Sequence, residues 1–301
     1  MVDILVIGSL NADLAVRVPR FPGPGETISG TDLETIPGGK GANQAVAAAK
    51  LGAAVAMLGR VGDDQLGQML LDNLGKFGVE SSAVRKTDSA TGDAIIIVDQ
   101  KGQNSIILSP GANGKVTPAD VESAPPAKIL LLQLEIPFET VLYAAKWGKA
   151  HGMTVILNPA PARELPDELI AGVDMLVPNE SELSLLTGKP VFDRASAQIA
   201  IAALMARGAK QVILTMGEKG ALAQTSVENG YFVPAHQVTV VDTTAAGDAF
   251  IGGLAVAFSR GIAMPEALNY ANACGALTVT KFGAQPSLPT AAEVEEFLQA
   301  L

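Results

Sequence analysis

Residues 128–158, KILLLQLEIPFETVLYAAKWGKAHGMTVILN, decide the fold of this chain. An apolar run at 128–133 is followed by a segment with helical spacing at 138–151 and by a second apolar run at 154–158. Short apolar runs on either side of a helix are typical of two parallel, buried strands joined by a crossover helix. This stretch therefore predicts an α/β fold.

The same alternation extends in both directions from this unit. Apolar runs with strand character and stretches with helical spacing follow one another along most of the chain. The predicted strands are 3–8, 55–60, 174–178 and 211–216, and the predicted helices are 42–51, 65–77, 180–187, 195–207, 248–260, 265–281 and 291–301. This order predicts a three-layer α/β fold in which a mostly parallel sheet carries helices on both faces.

Two strand-rich segments, at about 11–37 and 92–109, interrupt the alternation. The first is rich in Pro, Gly and Thr and contains short alternating runs at 14–18 and 26–31. The second has apolar runs at 93–98 and 104–109 around Gln100-Lys101-Gly102-Gln103, which predicts a β-hairpin with Gly in the turn. We expect both segments to form a small sheet inserted in one domain of residues 1–301.

The composition limits the classes of partner. With a formal net charge of −10, the chain lacks the basic excess that binding to nucleic acid or an anionic membrane surface requires. Cys274 is the single cysteine, so neither a disulfide within the chain nor a Cys-based zinc site can form. The N-terminal stretch MVDILVIGSLNADL is too acidic for a signal peptide and its apolar run is too short for a membrane span. We therefore predict a cytoplasmic protein.

The strongest local motif is DTTAAGDAF at 242–250, where small residues precede an acid at the start of an apolar helix. Consecutive backbone N–H groups at such a turn form a cradle for an anion, and the helix dipole reinforces it. Asp248 would lie beside that cradle, where a carboxylate can accept a hydroxyl proton during phosphoryl transfer. The alternative is an ordinary capped helix, which many proteins have without any catalytic role.

A second glycine-rich turn, GGKGANQA at 38–45, also opens a helix. Its glycines allow the backbone to approach a ligand, while Lys40 and Asn43 offer donors for hydroxyl groups. Because Gly41 follows Lys40, the spacing excludes a Walker A loop. The first predicted strand ends in Gly8-Ser9-Leu10-Asn11 and lacks the dinucleotide fingerprint. The alternative for this turn is a plain helix start with a solvated lysine.

Together these residues resemble the ribokinase family of sugar kinases over nearly the whole chain. The similar elements are Asn11 and Asp13 after the first strand, the turn at 38–43 and the segment at 242–248. Further similar segments are PGETISG at 24–30, NPAPARELPDEL at 158–169, PNESE at 178–182 and GAQPS at 283–287. The resemblance implies ATP-dependent phosphorylation of D-ribose at the 5-hydroxyl, beneath a lid formed by the small sheet. Kinases for deoxyribose, fructose or adenosine, and a sugar sensor without catalysis, remain alternatives.

The resemblance also implies a role for each matching residue on the sugar side. Asp248 is the catalytic base and the backbone of Ala245, Ala246 and Gly247 forms the anion cradle. The residues expected to bind the pentose are Asn11, Asp13, Gly39, Lys40, Asn43, Glu135 and Asp248. This set mixes hydrogen-bond donors with acceptors, as a neutral polyhydroxylated ligand demands.

For ATP and its Mg²⁺, the resemblance implies a separate group of residues. These are Asn179, Glu182, Thr215, Gly217, Gly220, Gly247 and Asn272. A K⁺ ion that activates the enzyme is expected, mostly through backbone carbonyls, at Asp242, Thr244, Thr278, Lys281, Gly283 and Ser287. In the family the lid strands also pair between subunits, which implies a homodimer. Ala249 replaces the Thr expected after the base, and we expect little effect because its side chain should face the helix packing.

Overall fold

The computed structural model describes residues 2–101, 103–226 and 229–301. In chain order these residues form β1 (Val2–Ile7), β2 (Asn11–Arg17), β3 (Glu34–Gly38), α1 (Lys40–Lys50), β4 (Val55–Gly62), α2 (Gln65–Lys76), β5 (Glu80–Thr87), β6 (Gly92–Val98), β7 (Asn104–Ser109), α3 (Pro118–Val121), β8 (Ala127–Leu132), α4 (Phe138–Ala150), β9 (Thr154–Leu157), α5 (Asp167–Gly172), β10 (Met175–Leu176), α6 (Glu180–Thr187), α7 (Arg194–Ala206), β11 (Val212–Thr215), β12 (Ala221–Gln224), β13 (Gly230–Val233), α8 (Ala246–Ser259), α9 (Met264–Thr278) and α10 (Ala291–Gln299). A short 3₁₀ turn at Gln285–Ser287 precedes α10.

The large sheet has nine strands in the described residues, in the order β13-β12-β11-β10-β9-β8-β1-β4-β5. All neighbouring pairs from β11 to β5 are parallel, and β12 and β13 add two antiparallel strands at one edge. Ile4 of β1 stands opposite Val55 of β4 on one side and Ile129 of β8 on the other. Such apolar central strands require cover on both faces.

The two faces of the large sheet are covered by different helices. Ile4 and Val6 of β1 pack in a core with side chains from α1, α2, α8, α9 and α10. Leu5 and Ile7 of the same strand face the opposite core, to which α3 to α7 contribute. The alternation of side chains along β1 therefore feeds two separate cores. This arrangement confirms the predicted three-layer α/β fold.

The small sheet has four strands in the order β3-β2-β6-β7. The hairpin predicted from 93–98 and 104–109 forms as β6 and β7, although its turn residue Gly102 lies outside the described residues. The strand predicted at 26–31 is wrong, because Glu26 accepts a hydrogen bond from the backbone N of Gly23 and pairs with Arg20. These contacts hold a loop there. The chain pairs with β2 only further on, as β3.

Two features of the fold differ from the sequence-based expectation, one in the large sheet and one at the end of a helix. Strands β5, β12 and β13 were not predicted, and β5 (ESSAVRKT) lies at an edge with mostly polar residues, so its apolar periodicity is weak. The helix predicted at 265–281 ends at Thr278. It ends there because the carbonyl of Val279 accepts hydrogen bonds from the backbone N of Val241 and of Asp242. In the described part of the chain, no helix is long and apolar enough to cross a membrane.

Candidate active site

The topology of the large sheet determines where a ligand can bind. Strand β1 lies between β4 and β8, so the direction in which strands are added reverses beside β1. In open parallel sheets, ligands bind beyond the carboxyl ends of the strands at such a reversal. Here those ends lead into Asn11 after β1 and into Glu135 after β8. Two of the predicted sugar-binding residues therefore start from the expected place.

Helix α1 starts against the end of β1 because two glycines permit a close approach. Gly39 has a φ of 87°, a conformation that strains any residue with a side chain. A Cβ at Gly41 would lie 2.6 Å from the backbone N of Ser9, which is too close for packing. The glycines thus bring Lys40 and Asn43 to the end of β1.

Helix α8 starts after a strained turn. Ala245 has a φ of 59°, and the left-handed conformation costs a non-glycine residue roughly 1–2 kcal/mol. A Cβ at Gly247 would meet nothing within 4 Å, so the backbone of this turn borders open space. The free N–H groups of the first helical turn and the helix dipole favour an anion here. The turn at 245–247 therefore has the geometry that an anion cradle needs.

Asp248 is buried and is held by two side-chain amides. Asn43 Nδ2 donates to Asp248 Oδ2 and Gln44 Nε2 donates to Asp248 Oδ1, each at 3.0 Å. Burial raises the pKa of the Asp248 carboxyl, while the charge of Lys40 and the two amide donors act to lower it. The carboxylate is fixed in orientation, and its surroundings partly restore the ionised form that a base needs.

Lys40 stands among four carboxyl groups. Burial acts to lower the pKa of Lys40, but Asp248, Glu135, Glu182 and Asp13 outweigh it, so the pKa is raised. The ammonium group therefore stays charged and neutralises part of the surrounding negative charge. We call Asp13, Lys40, Glu135 and Asp248 the charged cluster.

Two members of the charged cluster come from the small sheet and from the loop after β8. Burial, together with the charges of Glu135 and Asp248, raises the pKa of Asp13, on β2, to about 7, although the charge of Lys40 acts to lower it. Glu135 Oε2 accepts hydrogen bonds from Ser9 Oγ at 2.5 Å and from the backbone N of Lys40 at 3.1 Å. Asn11, at the start of β2, accepts a hydrogen bond from Asn113 Nδ2 at 2.6 Å. The structure thus brings the predicted sugar-binding residues together.

A cavity of about 320 Å³ adjoins this group beneath the small sheet. Asn11 and Glu135 line it together with Leu108 and Ser109 from β7 and Ile136 from the loop after β8. Its walls combine four polar side chains, those of Asn11, Ser109, Asn113 and Glu135, with apolar ones, as small-molecule sites commonly do. The small sheet therefore contributes one wall of a cavity that reaches the charged cluster at Glu135.

The large cavity, of about 830 Å³, opens on the other side of Asp248. Lys40 and Asp248 border it, as do Ala245 and Ala246 of the strained turn. All seven predicted nucleotide-binding residues also line it, namely Asn179, Glu182, Thr215, Gly217, Gly220, Gly247 and Asn272. The residues come from five separate segments of the chain, and folding brings them to one cavity that ends at the predicted base.

Three of these residues also have structural roles. Asn179 and Glu182 form the capping box of α6, in which each side chain accepts a hydrogen bond from the other's backbone N at 2.8 Å. Burial raises the pKa of Glu182. Asn272 Nδ2 donates to the backbone carbonyls of Val233 and Pro234. Asn272 therefore holds the wall of the large cavity in place as well as lining it.

The six predicted cation residues lie around the loop that follows α9. The Asp242 carboxylate connects this loop to the segment before α8. Its Oδ1 accepts a hydrogen bond from the backbone N of Thr244, and its Oδ2 accepts one from the backbone N of Gly283. Thr278 and Ser287 donate their hydroxyls to backbone carbonyls. Lys281 forms an ion pair with Glu293 at 2.6 Å, so its charge is directed away from Asp242. The six residues thus border one loop, and the binding of a cation there stays a prediction.

Sequence reasoning missed several polar residues that contact Asp248 directly or through one neighbour. Gln44 stands within the quoted motif GGKGANQA, and its position one residue after Asn43 was the one available signal. Gln285 stands within the quoted segment GAQPS, whereas Gln133 lies in a segment without a recognised motif. Both are buried beside α1. Their proximity results from tertiary packing.

Comparison with known proteins agrees with this geometry. The model of a protein family described as "pfkB family carbohydrate kinase" matches residues 1–291. The chain belongs to the pfkB family of carbohydrate kinases. Ribokinase of Bacillus subtilis is 41% identical over 99% of this chain and 100% of its own length. Deoxyribokinase of Salmonella typhi is 41% identical over 98% of each chain.

A solved structure extends the match to three dimensions. Arabidopsis thaliana ribokinase, complexed with ribose and ATP, has a TM-score of 0.93 and 38% identity, with 99% of each chain covered. This pfkB family member therefore shares its whole fold, including the small sheet, with a ribokinase. The predicted resemblance to ribokinases and the predicted class of enzyme, a sugar kinase, are confirmed.

Proposed function

We propose that the chain transfers the γ-phosphoryl group of ATP to the 5-hydroxyl of D-ribose, which forms ribose 5-phosphate and ADP. The observation that carries this proposal is the large cavity, which joins Asp248 and Lys40 to the seven predicted nucleotide-binding residues. A triphosphate in the large cavity and a sugar at the charged cluster would meet at Asp248. The relatives named ribokinase, one of them solved with ribose and ATP, support the same reaction.

Asp248 would act as the general base. As the sugar oxygen attacks phosphorus, its proton passes to the Asp248 carboxylate and the bond between the γ-phosphorus and the bridging oxygen of ADP breaks. Asn43 and Gln44 use one acceptor site on each carboxylate oxygen. A carboxylate has about four such sites, so acceptor sites remain for the hydroxyl.

The turn at 245–247 would stabilise the charge on the transferred group. Phosphoryl transfer depends mainly on positioning and on neutralising the charge of the equatorial oxygens. The backbone N–H groups at the start of α8 are already oriented by the helix, so little reorganisation is needed during the reaction. Lys40, which lines the large cavity beside Asp248, adds a positive charge near the same point.

ATP is proposed to bind with Mg²⁺. Lys40 is the single Lys or Arg side chain among the described residues that line the large cavity, so a triphosphate needs further positive charge. In the described parts of the chain, no group of three or more His, Cys, Asp or Glu side chains is arranged so that it could hold a metal ion by itself. Mg²⁺ suits such a site because it binds through few carboxylates, substrate phosphates and retained water. Asn179 and Glu182 would hold it, and when bound it would neutralise phosphate charge.

2-Deoxyribose is the second candidate acceptor, because one relative of equal identity is a deoxyribokinase. We favour ribose on chemical grounds. Asp13 and Glu135 give the sugar side two carboxylates, each of which can accept hydrogen bonds from several hydroxyl groups. A sugar that lacks one hydroxyl would leave part of that acceptor capacity unused, and unpaired buried polar groups discriminate strongly between substrates.

The proposal is tested by measuring ADP release with ATP, Mg²⁺ and ribose, 2-deoxyribose, fructose or adenosine, or with no acceptor. We expect the highest kcat/KM with ribose. A higher kcat/KM with deoxyribose would refute the choice of ribose but keep the kinase. ADP release that no acceptor increases would contradict the kinase activity itself and would favour a sugar sensor.

A monovalent cation is proposed at the loop after α9, bound by carbonyl and hydroxyl oxygens around Asp242. This loop adjoins the start of α8, since the Asp242 carboxylate binds both Thr244 and Gly283. A cation there would hold the turn at 245–247 in place. Turnover in KCl should exceed turnover in choline chloride at equal ionic strength. Equal rates in the two salts would rule out activation by K⁺.

The small sheet is proposed to act as a lid over the sugar, made from the segments at about 11–37 and 92–109, and to form the contact of a homodimer. A closed lid would exclude water, which competes with the sugar for the phosphoryl group. Ile106 and Ile107 of the edge strand β7 are 51% and 59% exposed, and Ile95 of β6 is 42% exposed. Pairing with a second copy would cover this apolar surface. Sedimentation should show a dimer that Ile107→Lys weakens, and a monomeric wild type would contradict the proposal.

We further propose a cytoplasmic location. Cys274, the single cysteine in the sequence, is unpaired and buried in the described structure, as suits a reducing compartment. Cell fractionation would test the location, and recovery of the protein outside the cytoplasm would refute it.

A further inference from the structure

A chain of buried amide side chains runs through the Asp248 carboxylate. On one side, Asn73 Nδ2 of α2 donates to Gln285 Oε1, and Gln285 Nε2 donates to Asn43 Oδ1 at 3.1 Å. Asn43 Nδ2 then donates to Asp248 Oδ2 at 3.0 Å. This arm connects α2, the 3₁₀ turn at Gln285–Ser287 and α1 to the proposed base.

A second arm reaches the other oxygen of the same carboxylate. Gln133, directly after β8, donates through Nε2 to Gln44 Oε1 at 2.6 Å. Gln44 Nε2 in turn donates to Asp248 Oδ1 at 3.0 Å and to Asn158 Oδ1 at 3.4 Å. Gln44 and Gln133 are fully buried, so water does not compete for these hydrogen bonds.

All the amides in both arms have the same polarity. Each one donates its N–H toward the carboxylate, and Asn43, Gln44 and Gln285 also accept through the oxygen from the amide farther from Asp248. At the outer end of the second arm, the buried Gln133 Oε1 has no hydrogen-bond partner among the described residues. An amide can turn around and exchange its oxygen for its nitrogen, so a neighbour that fixes the oxygen also fixes the direction of the donor. Gln285 does this for Asn43, and Gln133 does it for Gln44.

We propose that Gln44 and Gln285 are positioning residues for the transfer of the hydroxyl proton to Asp248. Gln44 holds one carboxylate oxygen directly, and Gln285 acts through Asn43 by keeping Nδ2 of that residue turned toward the other oxygen. With both oxygens fixed, the free acceptor sites of the carboxylate face the sugar. This inference rests on the proposed function, since it assigns the two residues to the reaction that Asp248 is proposed to catalyse.

The orientation explains why Asp248 can be buried and still serve as a base. A buried carboxylate without donors would take up a proton at neutral pH. Here five amides, aligned in two arms, direct their N–H groups toward it. Asn43 keeps one further N–H, because its amide has two donors and a single one is used on Asp248. That N–H is free for the sugar contact that the sequence predicts.

The first test compares Gln44→Met and Gln285→Met, which remove the amide but nearly keep the volume. Because a hydrogen bond to a charged group contributes more than a neutral one, we expect kcat to fall about tenfold or more for Gln44→Met and roughly threefold or more for Gln285→Met. KM for the sugar and for ATP should change less than about twofold, because the amides act on the proton transfer. Unchanged kcat in both variants would overturn the proposal.

The pH profile gives a readout that a purely structural role would not produce. Loss of either donor should move the acid limb of kcat to higher pH, because Asp248 would bind its proton more tightly. The other charged groups that influence Asp248, namely Lys40, Asp13, Glu135 and Glu182, are the same in wild type and variants. A lower kcat with an unmoved acid limb would overturn the assignment.

Gln285→Glu supplies a second variant with nearly the same size. A carboxylate at 285 accepts hydrogen bonds only, so it would turn the Asn43 amide and direct Oδ1 toward the Asp248 carboxylate. We expect kcat to fall further than in Gln285→Met. Wild-type kcat in Gln285→Glu would contradict the role of Gln285.

A double-mutant cycle tests whether Gln285 acts through Asn43. In an Asn43→Ala background, Gln285→Met should have no further effect on kcat. An equal loss in both backgrounds would refute that route. Thr140→Val is the matched control, because Thr140 is buried on α4 and its hydroxyl donates to the carbonyl of Val116 at 2.8 Å. It should leave kcat and the pH profile unchanged.

These experiments use the best acceptor that the sugar panel identifies. If that acceptor is deoxyribose, the assignment of ribose fails, while the comparison between variants still decides the role of the amides. Thermal melting of each variant shows whether it folds. Because Gln44→Met and Gln285→Met disturb different arms, each folded variant supports or overturns the role of the residue that it changes.

Discussion

The charged cluster and the large cavity, which meet at Asp248, are built in different ways. The charged cluster consists of ionisable side chains that are at least half buried, and its charges influence the pKa values of Asp13, Lys40 and Asp248. Away from Lys40 and Asp248, the large cavity is lined by glycine backbone, at Gly217, Gly220 and Gly247, and by polar and apolar side chains from several segments of the chain. One side of the site therefore depends on particular functional groups, and the other depends on shape and on backbone N–H groups.

This difference teaches where a substitution should be costly. A buried carboxylate has no substitute when it is lost, because its neighbours are arranged around its charge. A backbone N–H remains after any substitution except proline, so changes in the large cavity act through volume and position. We therefore expect substitutions in the charged cluster to reduce activity more than substitutions in the large cavity. The following predictions test that order.

The largest effect is expected from Asp248→Asn. This substitution nearly keeps the size but removes the base, and general-base groups typically contribute about 10²- to 10⁴-fold to a rate. We expect kcat to fall by a factor in that range, measured as ribose-dependent ADP release. Ribose binding by calorimetry should persist within a few-fold. Turnover near the wild-type value would show that the charged cluster does not contain the base.

Asp13→Asn should have the next largest effect, on sugar affinity. A hydrogen bond to a charged group contributes roughly 1.5–3 kcal/mol, so KM for ribose should rise about ten- to a hundredfold. KM for ATP should stay unchanged, because Asp13 does not line the large cavity. Glu34→Gln, on β3 of the same small sheet and exposed, is the control and should change neither constant. A comparable rise in KM for ATP would contradict the separation of the two sides.

The same substitution should make the protein more stable at alkaline pH. The folded-state pKa of Asp13 is raised to about 7 from an ordinary value of 3.8. The folded state therefore holds this proton more tightly, so the contribution of Asp13 to the free energy of unfolding is highest below pH 4 and declines as pH rises toward 7. Asp13→Asn should remove this decline and gain on the order of 1–3 kcal/mol at pH 8, with little change at pH 4. Urea unfolding at both pH values measures it, and equal stability of wild type and variant at pH 8 would contradict it.

The sequence predicted the fold to the extent that apolar periodicity was visible. The unit at 128–158 appears as β8, α4 and β9 with ends within one residue of the prediction. Strand β5 escaped because polar residues dominate it, and the strand predicted at 26–31 failed because Glu26 stabilises a turn through its contacts with Gly23 and Arg20. The local pattern of apolar and polar residues does not indicate such side-chain contacts.

The site, like the fold, was predicted from the sequence only in part. Asp248 and Lys40 belong to compact motifs, so spacing alone identified them as candidates. The partners that orient Asp248 cannot be found by spacing, since Asn43 is 205 positions away in the sequence and Gln285 lies 242 positions from Asn43. Only the packing of α1 against α8 and the 3₁₀ turn brings these amides into contact. Motifs therefore predict the proposed base, and tertiary structure supplies the groups that we propose position it.

Gly247→Ala should have a moderate effect, confined to the binding and transfer of the phosphate. A Cβ at Gly247 would meet no protein atom within 4 Å, so the variant should fold with unchanged stability. The added methyl group would enter the space where we place the transferred phosphate. We expect kcat/KM for ATP to fall about tenfold, the equivalent of roughly 1.4 kcal/mol. Gly172→Ala, on α5 with equally open space at its Cβ, is the matched control. A loss larger than that of Asp248→Asn would reverse the proposed order of the two sides.

The smallest effect is expected from Asn272→Ala, which tests whether the wall of the large cavity acts through shape. Asn272 Nδ2 holds the carbonyls of Val233 and Pro234, at 3.1 and 3.2 Å, and these residues lead into the wall segment that contains Ala235 and His236. Loss of neutral hydrogen bonds of this kind typically costs about 1 kcal/mol, so KM for ATP should rise about two- to fivefold. Initial rates at varied ATP should show this rise with kcat and the KM for ribose unchanged, because the charged cluster is not altered. A fall in kcat that exceeds the rise in KM would mean that the wall is coupled to Asp248, and the two sides of the site could then no longer be treated as separate.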